Sequence, residues 1–116
     1  MQAKLTLMVK SEFRQLIPRL EKISVSERHG SPNQTLSISM GVNATKKPDT
    51  LVEVPKDEMH RLREMIDAFP KNAIERVVLY FSDDNEGTSS GFLFSPDFLR
   101  DIAEAGMELS TEIYCL

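Results

Sequence analysis

The sequence predicts a single α+β domain spanning residues 1–116. The expected architecture is a two-layer sandwich, with three helices packed on one face of a mostly antiparallel sheet of about five strands. Three observations lead there. Segments of strict apolar–polar alternation recur at 3–10, 35–42 and 107–115. Three other segments carry apolar residues at helical spacing, each near a proline, a glycine or a capping serine. A chain of 116 residues, 41% apolar and 28% charged, is globular in balance and long enough for one core without a disulfide or a structural metal.

In chain order, Ala3, Leu5, Leu7 and Val9 alternate with Lys4, Thr6, Met8 and Lys10, the pattern of a half-buried strand. Ser11 then suits the cap of a helix running to about Ile23, with Phe13, Leu16, Ile17, Leu20 and Ile23 as its apolar stripe. Pro18 falls on the polar side of that stripe, so a kink is expected there and not the helix end. Residues 24–34 begin as a short strand and pass into a turn at Gly30, Pro32 and Asn33. Leu36, Ile38, Met40 and Val42 face the core in the next strand, and residues 43–50 form a polar loop.

A short extended piece, residues 51–54, leads into the second helix. Pro55 suits its first position, and Asp57 and Glu58 complement its dipole. Met59, Leu62, Ile66 and Phe69 form its buried stripe, and Pro70 forbids continuation. Residues 76–81 (RVVLYF) read as a central strand. The polar run 82–90 reads as a hairpin turn, with residues 91–94 returning. Ser95 and Pro96 open a third helix with Phe98, Leu99, Ile102 and Ala105 inward, and Gly106 closes it. Met107, Leu109, Ile113 and Cys115 then face the core in a last strand. Leu7, Ile38, Leu62, Ile66, Val78, Leu99 and Ile113 are the expected core. Ser37, Ser39, Ser110, Glu112 and Tyr114 are expected on the sheet face away from the helices.

Function classes narrow by chemistry. Net charge is −4 and no basic stripe occurs, which disfavours nucleic acid as a partner. No apolar stretch is long enough to span a bilayer, and no signal-peptide pattern is seen, so no membrane association and a cytoplasmic location are expected. The one cysteine, Cys115, fits a reducing compartment, and its strand parity makes it a buried thiol.

No G-x-S-x-G elbow and no glycine-rich phosphate loop is present, so no catalytic residue is assigned. Asp83, Asp84 and Glu86 form the densest acidic cluster. Aligning Gly87 with the glycine of a calcium loop puts Ser82 first and Leu93 last, which fails at both ends. His60 and Glu64 lie four apart on the polar side of the second helix and read as a surface pair. His29 sits in a turn and reads as solvated. No metal and no cofactor is therefore expected.

The stretch Ser90-Gly-Phe-Leu-Phe-Ser-Pro-Asp-Phe-Leu-Arg100, followed by Leu109-Ser-Thr-Glu-Ile-Tyr114, resembles the end of the bacterial family catalogued as domain of unknown function 4279. In that family a G-F-x-hydrophobic-S-P run precedes a short helix, a glycine and a closing strand ending in an acid, isoleucine and tyrosine. The likeness covers about a third of the chain. The N-terminal half departs from it, lacking a glycine-leucine-x-proline segment after the first helix. The resemblance implies an α+β fold in a bacterial cytosol and brings no catalytic residues with it.

These observations favour a non-enzymatic protein-binding module, in its most specific form a bacterial immunity protein that neutralises a basic toxin domain by direct binding. Asp83, Asp84 and Glu86 at a hairpin tip, then Glu112 and Tyr114 on the open sheet face, are the expected partner contacts. One alternative is a small-molecule-binding or enzymatic domain whose site is assembled from residues distant in sequence. Another is a homodimer using the polar sheet face or an edge strand.

Overall fold

The alternation in residues 2–10 makes one face of that strand apolar and the other polar, and a strand of that kind sits where one side of a sheet is covered. The structure, a computed structural model, describes residues 1–16, 24–28, 35–47, 50–84 and 91–114. β1 (Gln2–Lys10) lies in the middle of a five-stranded sheet with β2 (Ser24–Arg28), β3 (Thr35–Gly41), β6 (Ile74–Asp84) and β7 (Glu108–Tyr114), in the order β2-β3-β1-β6-β7. β4 (Thr45–Lys47) and β5 (Leu51–Glu53) form a separate antiparallel pair. The helices are α1 (Lys56–Asp67) and α2 (Pro96–Glu104). The fold is α+β.

Register carries the two faces across the sheet. Leu5 pairs with Met40 and Leu79, and Leu7 with Ile38 and Val77, so the apolar rows stack on one side. Met59 and Leu62 of α1, Phe98 and Ile102 of α2, and Val52 of β5 close that side into one core. Leu7, Ile38 and Leu62 are buried as the sequence predicts. Ser95 accepts a hydrogen bond from the Phe98 amide at 3.2 Å, with Pro96 in the first turn. Gly106, at φ +71°, ends α2 in the left-handed conformation that a Cβ disfavours. α1 follows Pro55 directly, and Phe69 is buried before Pro70.

Several expectations need correction. The helix expected from Ser11 is a 3-10 segment, Ser11–Leu16, broken at Phe13 (φ −100°, ψ 17°). Leu16 is exposed there. The remainder of that stretch, with Pro18, lies outside the described residues, as do His29 and Cys115. Two α-helices, not three, therefore lie among the described residues. The loop over 43–50 contains β4, whose Lys46 pairs with Val52.

Residues 91–94 do not return as a hairpin. Phe92 and Phe94 lie 6.3 and 5.6 Å from the Phe81 ring, on the core side of β6. A segment seated above a strand cannot also be its in-plane neighbour. Leu93 bonds instead to the start of β5, its amide to the Thr50 carbonyl at 2.9 Å and its carbonyl to the Val52 amide at 2.8 Å. β7 takes the vacant side of β6 in parallel, so the sheet is mixed.

Four expected core positions shift. Ile66 is half-buried. Val78 pairs with Thr6 and Glu108, which puts it in the polar row, also half-buried. Phe98, Ile102 and Ala105 make the line by which α2 packs, and Leu99, about 100° round the helix, is 43% exposed. Ile113 is 38% exposed near the end of β7, which among the described residues has a neighbour on one side only.

Candidate interaction surface

The polar row of each strand meets its neighbours by register. Ser39, Thr6, Val78 and Glu108 form one line across four strands. Gly41, Lys4, Tyr80 and Ser110 form the next, and Gln2, Ser82 and Glu112 the one after. Neither α-helix covers this face.

The face is held by its own side chains. The hydroxyls of Thr6 and Ser39 share a hydrogen bond at 3.1 Å. The Lys4 ammonium lies 5.1 Å from the Tyr80 ring centroid, within cation–π range. Arg76 donates to Glu108 at 2.5 Å, and this carboxylate raises the Arg76 pKa. The Thr35 hydroxyl donates to Glu75 at 3.2 Å. A shallow depression of about 130 Å³ opens between Gln2, Lys4, Tyr80 and Ser82.

Four of the five expected contact residues converge at one corner. β6 and β7 run in parallel, so both end on the same side of the molecule. Ser82 pairs with Glu112, Asp83 with Ile113 and Asp84 with Tyr114. Glu112 is exposed; Asp84 and Tyr114 are placed there by backbone register. Glu86 lies outside the described residues.

Asp83 differs from its neighbours. It belongs to the row of Leu79 and Phe81, and its side chain is only 16% exposed. It accepts a hydrogen bond from Lys46 at 2.5 Å and lies 3.6 Å from the chain's amino group. Lys46 itself sits 4.4 Å from the Phe92 ring centroid. The Lys46 hydrogen bond holds the Asp83 carboxyl below the usual aspartate range, against the opposing effect of burial. Asp83 thus ties β4 to β6 and is not the open loop tip the sequence suggested.

A second buried acid does similar work beside it in the fold. Burial alone would push Glu58 up, yet the Arg61 guanidinium and the Asn43 amide, which donates at 2.6 Å, bring its carboxyl below the ordinary glutamate value. Arg61 also donates to the Gly41 carbonyl at 3.0 Å, so the second turn of α1 is clipped to the end of β3. On the outer surface, His60 and Glu64 meet at 2.9 Å with both side chains well exposed, as their spacing predicts. Arg63 reaches the Asp101 carbonyl at 3.3 Å, beside a depression of about 150 Å³ between α1 and α2. No group of three His, Cys, Asp or Glu side chains among the described residues is placed to hold a metal.

Lys4, Tyr80 and Arg76 were not singled out from the sequence. The alternation of β1 already assigned Lys4 to the polar face, but only the register of β1 with β6 brings Tyr80 beneath it. Lys46, in a short polar stretch, carried no periodic signal at all. No helix among the described residues is long and apolar enough to cross a membrane. No family model, no curated protein and no solved structure matches this chain.

Proposed function

We propose that this protein is a non-enzymatic binding module for another protein, using its uncovered sheet face and the acidic end of β6 and β7. The observation that carries this reading is the face itself. Its side chains are already held in place by Thr6–Ser39, Lys4–Tyr80 and Arg76–Glu108 contacts, so less side-chain freedom is lost when a partner docks.

The partner that suits the acidic end is basic, with Glu112 and Asp84 steering its approach and Tyr114 alongside. The most specific form of the proposal is a bacterial immunity protein that occludes a basic toxin domain. The test is affinity purification from the native host, followed by binding kinetics on the isolated pair. One basic protein should be retained in stoichiometric amount by the wild type. Its association rate should fall with Glu112→Lys, and its affinity with Lys4→Ala, which removes the Lys4–Tyr80 contact from the face. Turnover of a metabolite that survives both substitutions would favour the enzymatic alternative instead.

A further inference from the structure

We infer that two copies of this chain pair through their β7 strands, antiparallel and with Thr111 on the two-fold axis, joining two five-stranded sheets into one. Among the described residues β7 is the last strand of the sheet, bonded on one side by β6. It is seven residues long and contains no proline, so its outer edge presents a regular row of backbone donors and acceptors. Residues 111–113 are exposed, Ile113 among them. The other edge strand, β2, has only five residues.

The register follows from the sequence of β7. With Thr111 on the axis, Leu109 faces Ile113, Ser110 faces Glu112 and Glu108 faces Tyr114, each pair occurring twice. No acid stands opposite an acid. Leu109 and Ile113 share the row of Leu79 and Asp83 on the helix side, so the two apolar pairs lie on the face that carries the core. Shifting the axis to Ser110 sets Glu108 against Glu112, and shifting it to Glu112 sets that residue against its own copy. Like charges directly opposite each other destabilise a strand pair, so the neighbouring registers are disfavoured. The two-fold runs perpendicular to the sheet, which keeps both helical layers on one side. The α2 helices, each packed beside its own β7, then flank the seam, and the exposed Ile113 lies within it. An isologous two-fold contact of this kind closes on itself and stops at two copies.

Sedimentation equilibrium of the wild-type chain at tens of micromolar tests this, with twice the monomer mass expected; a monomer at that concentration overturns it. Thr111→Lys and Thr111→Asp each set like charges on the axis and should each be monomeric, with an unchanged circular dichroism spectrum. Mixed in equal amounts, they should form a heterodimer. Retention of the dimer by Thr111→Lys alone, or failure of the mixture to associate, would show that the seam lies elsewhere. Hydrogen exchange on the wild type gives a reading independent of the variants. Alternate β7 amides should be protected at high concentration and lose that protection on dilution, and protection that ignores concentration counts against the pairing.

Discussion

Asp83 illustrates how strand parity decides what a charged residue does. Read in sequence it belongs to an acidic turn; in the fold it sits on the core side of β6, held by Lys46. Its carboxyl is depressed below the ordinary aspartate value of 3.8. A group with a lowered folded pKa contributes its full stability above the unfolded value and loses it as pH falls through the folded one. Stability should therefore decline on acidification below about pH 4, and Asp83→Asn should flatten that decline in urea titrations run at several pH values. At neutral pH the loss of the charge-assisted hydrogen bond should cost about 1–3 kcal/mol. Asp83→Lys should be worse, since it sets a second ammonium beside Lys46. Glu58 obeys the same sign, because its folded value is also lowered.

At the level of elements, the helices show the difference between apolar and buried. Leu62 is fully buried in α1, while Leu99 in α2 is 43% exposed. Leu62→Ala should cost about 2–5 kcal/mol, and Leu99→Ala no more than about 0.5 kcal/mol for the isolated chain, both read from chemical denaturation midpoints. A midpoint unchanged by Leu62→Ala would contradict the packing of α1 on the sheet. The caps of α2 offer a second check. Ser95→Ala removes the acceptor of the Phe98 amide and should cost about 1 kcal/mol. Gly106→Ala meets no neighbouring atom, so any loss it causes reports backbone conformation alone.

For the whole molecule, the parallel pairing of β6 with β7 has the largest functional consequence. It brings the strand ends carrying Asp84 and Glu112 to one corner of the uncovered face. Reversing both to Lys should leave the unfolding free energy within about 0.5 kcal/mol of wild type, since Glu112 is exposed and Asp84 is the last residue of β6. Association with a basic partner should slow, and the effect should grow as salt is lowered toward a Debye length of about 30 Å at 0.01 M. An association rate indifferent to both substitutions would remove this corner from the interface. Adding Asp83 to the set would confuse folding with binding, because Asp83 holds β4 in place.

The sequence by itself determined what depends on near neighbours along the chain. Alternation marked β1 and β3 and sorted their faces, so Leu7, Ile38, Thr6 and Ser39 fall where their parity puts them. Capping chemistry marked α2, because Ser95, Pro96 and Gly106 act within one turn of themselves. The spacing of His60 and Glu64 was enough to pair them. Only the tertiary structure decided which strand lies beside β6. Residues 91–94 and β7 both have strand character, and β7 lies beside β6 while Phe92 and Phe94 pack against Phe81 from the core side, Phe94 also against Phe98. The same long-range choice turned Asp83 toward Lys46, thirty-seven residues away, set Val78 among polar neighbours and left Ile113 exposed on the last strand among the described residues. Such contacts join segments whose separation in the chain leaves no periodic trace, so local pattern does not encode them.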